Sequence, residues 1–423
     1  MIKFLLKGIL RDRSRSLLPI IVVSLGVFLT VVMSAWLKGI FTEMIDLNAN
    51  FTTGHVKIMT RTYAENSAQM PLDLALLGIN KLNQNLEKDY PDMEWVYRIN
   101  YGGLLDVPDK NGETRAQGPA AGKAIDFFNN PKEVERMNIL KSIVEGEIPK
   151  KPGEAIISHE FAEKFGVKLG QKVTLFGSTM NGSMLFKTFT VCGTIRFGMT
   201  MLDRGAILID ISDAQLALDM EDGSTEILGY FKDEKYDKIR ATEVVNTFNP
   251  RYSKKDDEFS PQMFRLEQQA GLEEYLAMAD NMGGIMITFF IIAMSIVLWN
   301  TGLLGGLRRY TEYGVRLALG EEKSQIYKTM IYEAILIGII GSIVGTILGL
   351  GMSYYLQEVG VDFSDLTKNI NMMIPPVYRA AIFPQLFYIG FIPGLIAMTL
   401  GNALAGFAIY KRKTARLFKE LEV

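Results

Sequence analysis

This sequence of 423 residues has few of the side chains on which catalytic and metal sites depend. It contains a single cysteine, Cys192, and only two histidines, His55 and His159. One cysteine excludes an intramolecular disulfide and a cysteine-based metal cluster. Ser158, His159 and Glu160 are neighbours in sequence, and adjacent side chains do not build a catalytic triad. We therefore expect no catalytic residue and no metal site in this chain.

The pattern of a phosphate-binding loop is also missing. That loop follows G-x-x-x-x-G-K-S/T, so that backbone amides and the lysine hold the phosphates. The nearest stretch contains Gly118, Gly122 and Lys123, with the wrong glycine spacing and Ala124 where the hydroxyl should stand. If the protein works with ATP, a separate subunit must bind the nucleotide and its magnesium. We expect no cofactor on this chain.

Charge is nearly balanced, and it is scarce where the sequence is most apolar. The formal net charge is −2, which gives no basic excess for binding nucleic acid. Four apolar runs are long enough to cross a membrane, which takes about 20 residues for a core of about 30 Å. None has an ionisable group near its middle, and Glu333 stands at the start of the third. This pattern disfavours an ion-coupled transporter.

The composition indicates a membrane protein with a large part in water. The sequence is 48% hydrophobic with a mean hydropathy of +0.14, yet it retains 22% charged residues. The charged residues concentrate between the first two apolar runs. We predict an integral membrane α-helical protein with four transmembrane helices and a large α+β extracytoplasmic domain inserted between the first and second.

The first apolar run, 17–37, also resembles a signal peptide because a basic segment precedes it. At about 20 residues it is longer than the usual apolar core of about 7–15, and no clear small-x-small cleavage site follows 33–36. We interpret it as an uncleaved anchor. Residues 2–10 form either a short amphipathic helix on the inner membrane face or the fringe of this span.

Lysine and arginine counts in the short flanks predict the topology. Residues 1–16, 305–330 and 410–423 each hold five, whereas the other short loop, 355–382, holds two. Because cytoplasmic loops carry the excess of basic residues, both termini and 305–330 are predicted to be cytoplasmic. The large domain and the loop 355–382 are then external.

Alternating apolar patterns divide the external domain into two parts. A strand, a helix over 72–86 and a strand are predicted within 55–107, and a second such set begins near 227, which suggests one split α+β unit. The intervening stretch, about 115–225, would be an inserted subdomain with a hairpin at Asn181-Gly182. The predicted boundaries are 1–40 for the N-terminal segment and first span, 41–262 for the external domain, 263–282 for a stalk helix, 283–304 for the second span, 305–330 for a cytoplasmic loop helix, 331–354 for the third span, 355–382 for the external loop, 383–409 for the fourth span and 410–423 for the tail.

Two segments near the third span are candidate functional sites. The loop 305–330 combines basic residues with apolar ones and fits a cleft on a partner protein, or it is an ordinary basic inner loop. Glycines spaced by three or four residues line one face of the span, where small residues let helices approach closely. They pack against this chain's own spans or against a second copy of the chain or a related chain. The glycines are Gly338, Gly341, Gly345 and Gly349.

The segment 308–351 resembles the signature of the FtsX-like ABC transporter permease family, which includes LolC/LolE-type lipoprotein-release and MacB-type permeases. Its core is GVRLALG at 314–320, followed by the glycine-rich helix. In this family the segment is the coupling helix that contacts the ATPase. The resemblance therefore implies that the ATPase-coupling residues are Arg308, Arg309, Glu312, Gly314, Val315, Arg316, Leu317, Ala318, Leu319 and Gly320.

The external part resembles the MacB-like periplasmic core domain of the same family, in PGEAIISHEFA at 152–162, GVKLGQKV at 166–173 and FTVCGTI at 189–195. Three features depart from relatives in the family. The interval 177–185 is shorter than the carrier-docking hook of lipoprotein-release permeases and has no proline. The tail lacks the frequent Asp-Pro, and the sequence contains no ATPase domain.

The resemblance implies a non-catalytic permease subunit in the bacterial inner membrane. Its expected partners are a cytoplasmic ABC ATPase dimer, a second permease copy or a sister permease, membrane lipid, and a lipoprotein or periplasmic carrier. Lipoprotein release is the expected function. MacB-like efflux of periplasmic cargo and an FtsX-like relay to a cell-wall hydrolase are the alternatives.

Overall fold

The computed structural model describes residues 13–109, 111–197, 203–254, 256–269, 272–308, 310–363 and 377–411. These residues form two compact units. The membrane unit comprises 13–43, 277–363 and 377–411, and the large domain comprises 44–276. The amphipathic segment predicted at 2–10 and the tail from 412 lie outside the described residues.

The helices of the described residues are α1 (Arg13–Asn48), α2 (Arg61–Asn66), α3 (Ile79–Asp89), α4 (Pro131–Arg136), α5 (Ile139–Ser142), α6 (His159–Phe165), α7 (Ile211–Ala217), α8 (Lys238–Tyr252), α9 (Leu272–Arg308), α10 (Tyr310–Ala318), α11 (Lys323–Val359), α12 (Leu386–Ile389) and α13 (Met398–Lys411). The strands are β1 (Val56–Thr60), β2 (Leu76–Leu77), β3 (Met93–Pro108), β4 (Thr114–Ile125), β5 (Ile143–Gly146), β6 (Glu154–Ser158), β7 (Lys172–Ser178), β8 (Met184–Ile195), β9 (Ala206–Asp210), β10 (Gly223–Ser224), β11 (Glu226–Phe231), β12 (Pro261–Arg265), β13 (Val361–Asp362) and β14 (Val377–Tyr378). α1 continues directly into a π-helical turn, Ala49–Thr53.

The large domain is built on a split unit of two strand–helix–strand segments, β1–α3–β3 and β11–α8–β12. Their strands pair antiparallel in the order β12-β1-β11-β3, which is the ferredoxin-like arrangement. α3 and α8 pack on one face of this sheet and bury an apolar core with it. The core includes Val56, Ile58, Leu82, Leu86, Ile227, Phe231, Val245 and Phe248.

The inserted part runs from β4 to β10, close to the stretch predicted at 115–225. β3 belongs to both parts, because its first half pairs with β11 and its second half pairs with β4 and β7. The sheet then continues in the order β4-β9-β6-β8-β5. β7 and β8 form the hairpin expected at Asn181-Gly182, where Gly182 has a φ of +78° and the amide of Thr179 donates to the carbonyl oxygen of Ser183 at 2.8 Å.

The membrane unit holds helices that are long and apolar enough to cross a membrane. Among the described residues there are four such helical segments, Leu17–Thr53, Asn281–Gly306, Lys323–Val359 and Leu386–Phe407. With the large domain between the first two, they confirm the predicted fold class. The fourth is interrupted by a π-helical turn, Ile392–Ala397, in which Pro393 removes a backbone donor.

The stalk helix predicted from residue 263 is wrong at its start. Residues Pro261–Arg265 form the edge strand β12, a short 3₁₀ turn follows at Leu266–Gln268, and the helix begins at Leu272. The apolar spacing of this segment fits a helix, but pairing with β1 along five residues holds it extended. Tertiary pairing overrides local pattern at such positions.

A second difference concerns the helix expected over 72–86. Leu72–Leu74 form a 3₁₀ turn, Leu76–Leu77 pair with β10, and α3 begins only at Ile79. Gly78 separates the two with a φ of +71°, a left-handed conformation that interrupts the helical pattern.

Candidate functional site

The predicted coupling segment forms a short helix, α10, between two membrane helices. α9 ends at Arg308 and α11 begins at Lys323. Arg309 lies outside the described residues. Gly320 ends the segment with a φ of +92°. Its amide donates to the carbonyl oxygen of Leu317, and that of Glu321 donates to the carbonyl oxygen of Arg316. These two bonds form a Schellman motif, for which glycine is the preferred residue.

Two side chains of the segment anchor it to the membrane unit. Tyr313 is 3% exposed and packs in a cluster with Ile326, Met330 and Ala405, and Leu317 packs against the same cluster. Tyr313 and Leu317 are four residues apart, so they share one face of the helix. Leu317 is one of the coupling residues that the resemblance implies. In the structure it follows Tyr313 on the inward face and is only partly exposed.

The opposite face is apolar and exposed. Val315 is 53% exposed and Leu319 is 83% exposed, and Ala318 lies beside them on the surface. This face is bordered by an ion pair in which Arg316 Nη2 lies 3.1 Å from Glu312 Oε1, with both side chains partly exposed. Exposed apolar side chains ringed by charge are typical of protein interaction sites.

The glycine face of α11 lies against other helices of the same chain. A Cβ atom at Gly345 would come within 2.5 Å of the Ser24 carbonyl oxygen, which leaves no room for a side chain. The neighbours of the four glycines are Leu395 for Gly338, Val23 for Gly341, Ser24 and Val27 for Gly345, and Val31 for Gly349. Glycines on α11 and valines on α1 both recur every four residues, so the two helices stay in close contact over two turns or more.

The structure also shows buried charges that were not predicted from the sequence. They lie on the face of the split-unit sheet opposite α3 and α8. Lys57 Nζ lies 2.6 Å from Glu226 Oε2, and Lys123 Nζ lies 3.6 Å from Glu226 Oε1. Burial alone would raise the pKa of Glu226, but the two lysines lower it to about 2. Burial lowers the pKa of Lys123 to about 8.

Arg98 stands beside these groups, directly opposite Glu226 in the pairing of β3 and β11. Its Nε lies 2.6 Å from Glu133 Oε1, and the two side chains are 0% and 1% exposed. Burial alone would lower the pKa of Arg98, but Glu133 raises it. The sequence signal was a charged residue inside each of several apolar strands. Only the three-dimensional pairing shows that these charges meet.

Two family models match the chain. Residues 16–241, more than half of the sequence, match the MacB-like periplasmic core domain. Residues 284–414 match the FtsX-like permease C-terminal region. The two matches fall on the first span with most of the large domain, and on the last three spans.

Curated relatives have modest identity. The lipoprotein-releasing system transmembrane protein LolC of Xylella fastidiosa (strain 9a5c) is 24% identical over 263 residues, which is 60% of this chain and 61% of LolC. The pyoverdine export protein PvdT of Pseudomonas syringae pv. syringae is 24% identical over 38% of this chain and 26% of its own length. The macrolide export protein MacB of Wolinella succinogenes is 26% identical over 23% of this chain and 16% of its own length. The chain therefore spans less than two thirds of these relatives.

A solved structure of the periplasmic region of MacB from Actinobacillus actinomycetemcomitans also matches, with 11% identity and a TM-score of 0.37, covering 54% of this chain and 95% of that structure. The two family models together bear out the resemblance read from the sequence. This chain belongs to the FtsX-like family of ABC transporter permeases that carry a MacB-like periplasmic core domain.

Proposed function

We propose that this chain is the transmembrane subunit through which ATP hydrolysis on a separate ATPase drives conformational work by the large domain. The proposed task is the release of lipoproteins from the bacterial inner membrane. LolC supports this choice because it matches 60% of the chain, against 38% for PvdT and 23% for MacB. Export of other periplasmic cargo is the second candidate, supported by those two exporters.

The exposed face of α10 is the observation that carries this proposal. Val315 and Leu319 offer an apolar surface, and the Arg316–Glu312 pair offers charge at its edge. Tyr313 and Leu317 fix the helix to α11 and α13 through Ile326, Met330 and Ala405. A push on the exposed face would therefore reach the membrane helices through packed side chains, without an intervening flexible loop.

The basic flanks support a cytoplasmic place for this helix. Residues 305–330 hold five lysines and arginines, as do the two terminal segments 1–16 and 410–423. With both termini in the cytoplasm, four spans place the large domain outside. We propose that two permease chains, identical or related, assemble with two ATPase subunits, which bind ATP and magnesium.

The proposal is tested by reconstitution. The chain is co-expressed with the ATPase that co-purifies with it and placed in proteoliposomes that hold a fluorescent triacylated lipoprotein. We expect release of the lipoprotein on addition of ATP and magnesium, and none with a non-hydrolysable analogue. ATP hydrolysis with no release would reject lipoprotein release, and stimulated export of soluble cargo would then favour the second candidate.

Leu319→Asp tests the coupling role directly. Because Leu319 is 83% exposed, aspartate fits the isolated chain, but it would place an unpaired charge in the apolar interface with the ATPase. We expect affinity for the ATPase to fall about tenfold or more, measured by pull-down at graded ATPase concentrations. Leu216→Asp is the matched control, since Leu216 is a leucine of the large domain that is 65% exposed. Equal binding by both variants would remove α10 as the coupling helix.

A further inference from the structure

The end of the first membrane helix is held by side chains of the large domain. α1 runs without a break from Arg13 to Asn48 and continues as the π-helical turn Ala49–Thr53. The last carbonyl groups of a helix have no partner within the helix and carry partial negative charge. Here the Ala49 carbonyl accepts from the amide of Gly54. The carbonyls of Asn50 and Phe51 lie in partly buried and buried positions, so side chains of the protein must satisfy them.

Arg98 is the principal partner of this helix end. Its Nη1 donates to the carbonyl oxygen of Phe51 at 2.7 Å, and its Nη2 donates to that of Asn50, also at 2.7 Å. The Tyr230 hydroxyl lies 3.2 Å from the carbonyl oxygen of Ala49 and accepts from Arg98 Nη2 at 3.1 Å. A guanidinium binds two acceptors in a fixed plane, so it holds the direction of the helix as well as its position.

Glu133 fixes the guanidinium from the other side. It belongs to α4 in the inserted part, whereas Arg98 belongs to β3 of the split unit. Arg136, one turn further along α4, lies 3.3 Å from Glu133 Oε2 and places its guanidinium 4.0 Å from the centre of the Tyr230 ring. The helix end is therefore attached to both parts of the large domain through one cluster.

The segment by which the chain leaves the large domain begins at the same place. Gln269 Nε2 donates to the carbonyl oxygen of Thr53 at 3.2 Å, and α9 begins three residues later at Leu272. Gln269 is 5% exposed. The end of the first helix and the segment that leads into the second are thus tied to each other within the large domain.

We propose that Arg98, Glu133 and Tyr230, called here the helix-end cluster, form the attachment through which movement of the first membrane helix is passed to the large domain. The inference rests on the proposed function, because only that function implies that the first membrane helix moves. The contacts of the cluster give it a mechanical role. α1 is one continuous helix, and the buried guanidinium of Arg98 binds the carbonyls at its end on one side and Glu133 on the other. Arg98 and Glu133 are positioning residues in this role.

The test uses a paired substitution, Arg98→Met with Glu133→Met, in the full chain assembled with its ATPase. Removing both partners avoids the unpaired buried charge that a single substitution would leave. Spin labels on Met44→Cys and Leu140→Cys, in a Cys192→Ser background, report the distance between α1 and the inserted part. Met44 and Leu140 are 42% and 56% exposed, so both accept a label.

We expect a narrow distance distribution in the parent chain and one at least twice as wide in the paired variant. Tyr230→Phe removes one oxygen from the same cluster and replaces the paired variant if that variant does not fold. Its distance distribution should be wider than that of the parent chain but less than twice as wide. The control removes a surface pair of the same chemistry, Arg240 with Asp233, whose atoms are 2.7 Å apart and whose side chains are 39% and 52% exposed. It should leave the width unchanged. Unchanged widths in the cluster variants overturn the attachment.

Transmission is read separately as lipoprotein released per ATP hydrolysed. The paired variant should keep its ATP hydrolysis and lose about tenfold in release per ATP, because the stroke would no longer reach the large domain. Full release with a widened distribution overturns transmission through the cluster. If the parent chain releases no lipoprotein, the proposed function fails, while the distance measurement still decides the attachment.

Discussion

At the scale of single residues, burial in the large domain changes the titration of His55. The ring is 2% exposed, its Nδ1 accepts from the amide of Phe231 at 3.0 Å, and the rings of Tyr230 and Tyr236 lie within 5.8 Å. Burial is the main cause that lowers its pKa to about 4, with Arg136 and Arg240 acting in the same direction and Asp233 opposing them. The folded protein therefore holds this histidine neutral.

The consequence is a loss of stability in acid. Between the unfolded pKa of about 6.5 and the folded value of about 4, the unfolded chain binds a proton at His55 that the folded chain does not. Stability from this group is full above pH 6.5 and falls as the pH drops to 4, by about 3 kcal/mol at about 1.4 kcal/mol for each pKa unit.

His55→Asn keeps an acceptor for the amide of Phe231 without the titrating ring. We expect the variant to be less sensitive to acid than the parent between pH 6.5 and 4, measured as the difference in thermal midpoint of the full chain in detergent. His159→Asn is the control and should retain the parent's slope, because His55 is intact. An identical slope in all three proteins would contradict the assignment.

At the scale of elements, the contact between α1 and α11 depends on missing side chains. The glycines of α11 lie against Val23, Val27 and Val31, and a Cβ at Gly345 would overlap the backbone of α1 at Ser24. Gly345→Leu must therefore push the helices apart. We expect a loss of about 1–3 kcal/mol in the free energy of unfolding, as for other overpacked interiors.

Gly351→Leu is the matched control in the same helix, because a Cβ at Gly351 meets no atom within 4 Å. Unfolding of the full chain in mixed micelles, followed by tryptophan fluorescence, compares the two. Equal stability of the two variants would show that the α1–α11 contact contributes little to the membrane unit.

Elements with strong, self-contained patterns could be predicted from the sequence. The four spans follow from long apolar runs, and the β7–β8 hairpin follows from Asn181-Gly182. β12 could not be predicted, because its extended form depends on pairing with β1, which is more than 200 residues away in sequence. The inward position of Leu317 depends on Tyr313, which packs into the same cluster, and no local sequence pattern marks Tyr313 as an anchor. The helix-end cluster required β3, α4 and α1 to meet, and no local pattern records that.

At the scale of the whole molecule, the boundary of the large domain suggests that it can be excised. The chain enters it after α1 and leaves it before α9, and Gln269 Nε2 lies 3.2 Å from the carbonyl oxygen of Thr53. The ends of the segment 54–268 are therefore close enough for a flexible linker of about four residues to join them. The contacts between α1, α11 and the fourth span lie within the membrane unit and do not use that segment.

Under the proposed function, replacing 54–268 with this linker should leave a membrane protein that still binds the ATPase and permits ATP hydrolysis, because α10 is intact. Release of lipoprotein, as proposed, should be abolished, since the domain that would perform the work is absent. Co-purification, ATP turnover and release are measured on the same proteoliposomes, with the excised chain carrying Leu319→Asp as the control that should lose the ATPase. An excised chain that inserts and remains monodisperse but no longer binds the ATPase would show that α10 is not sufficient, and that the large domain contributes to assembly of the complex.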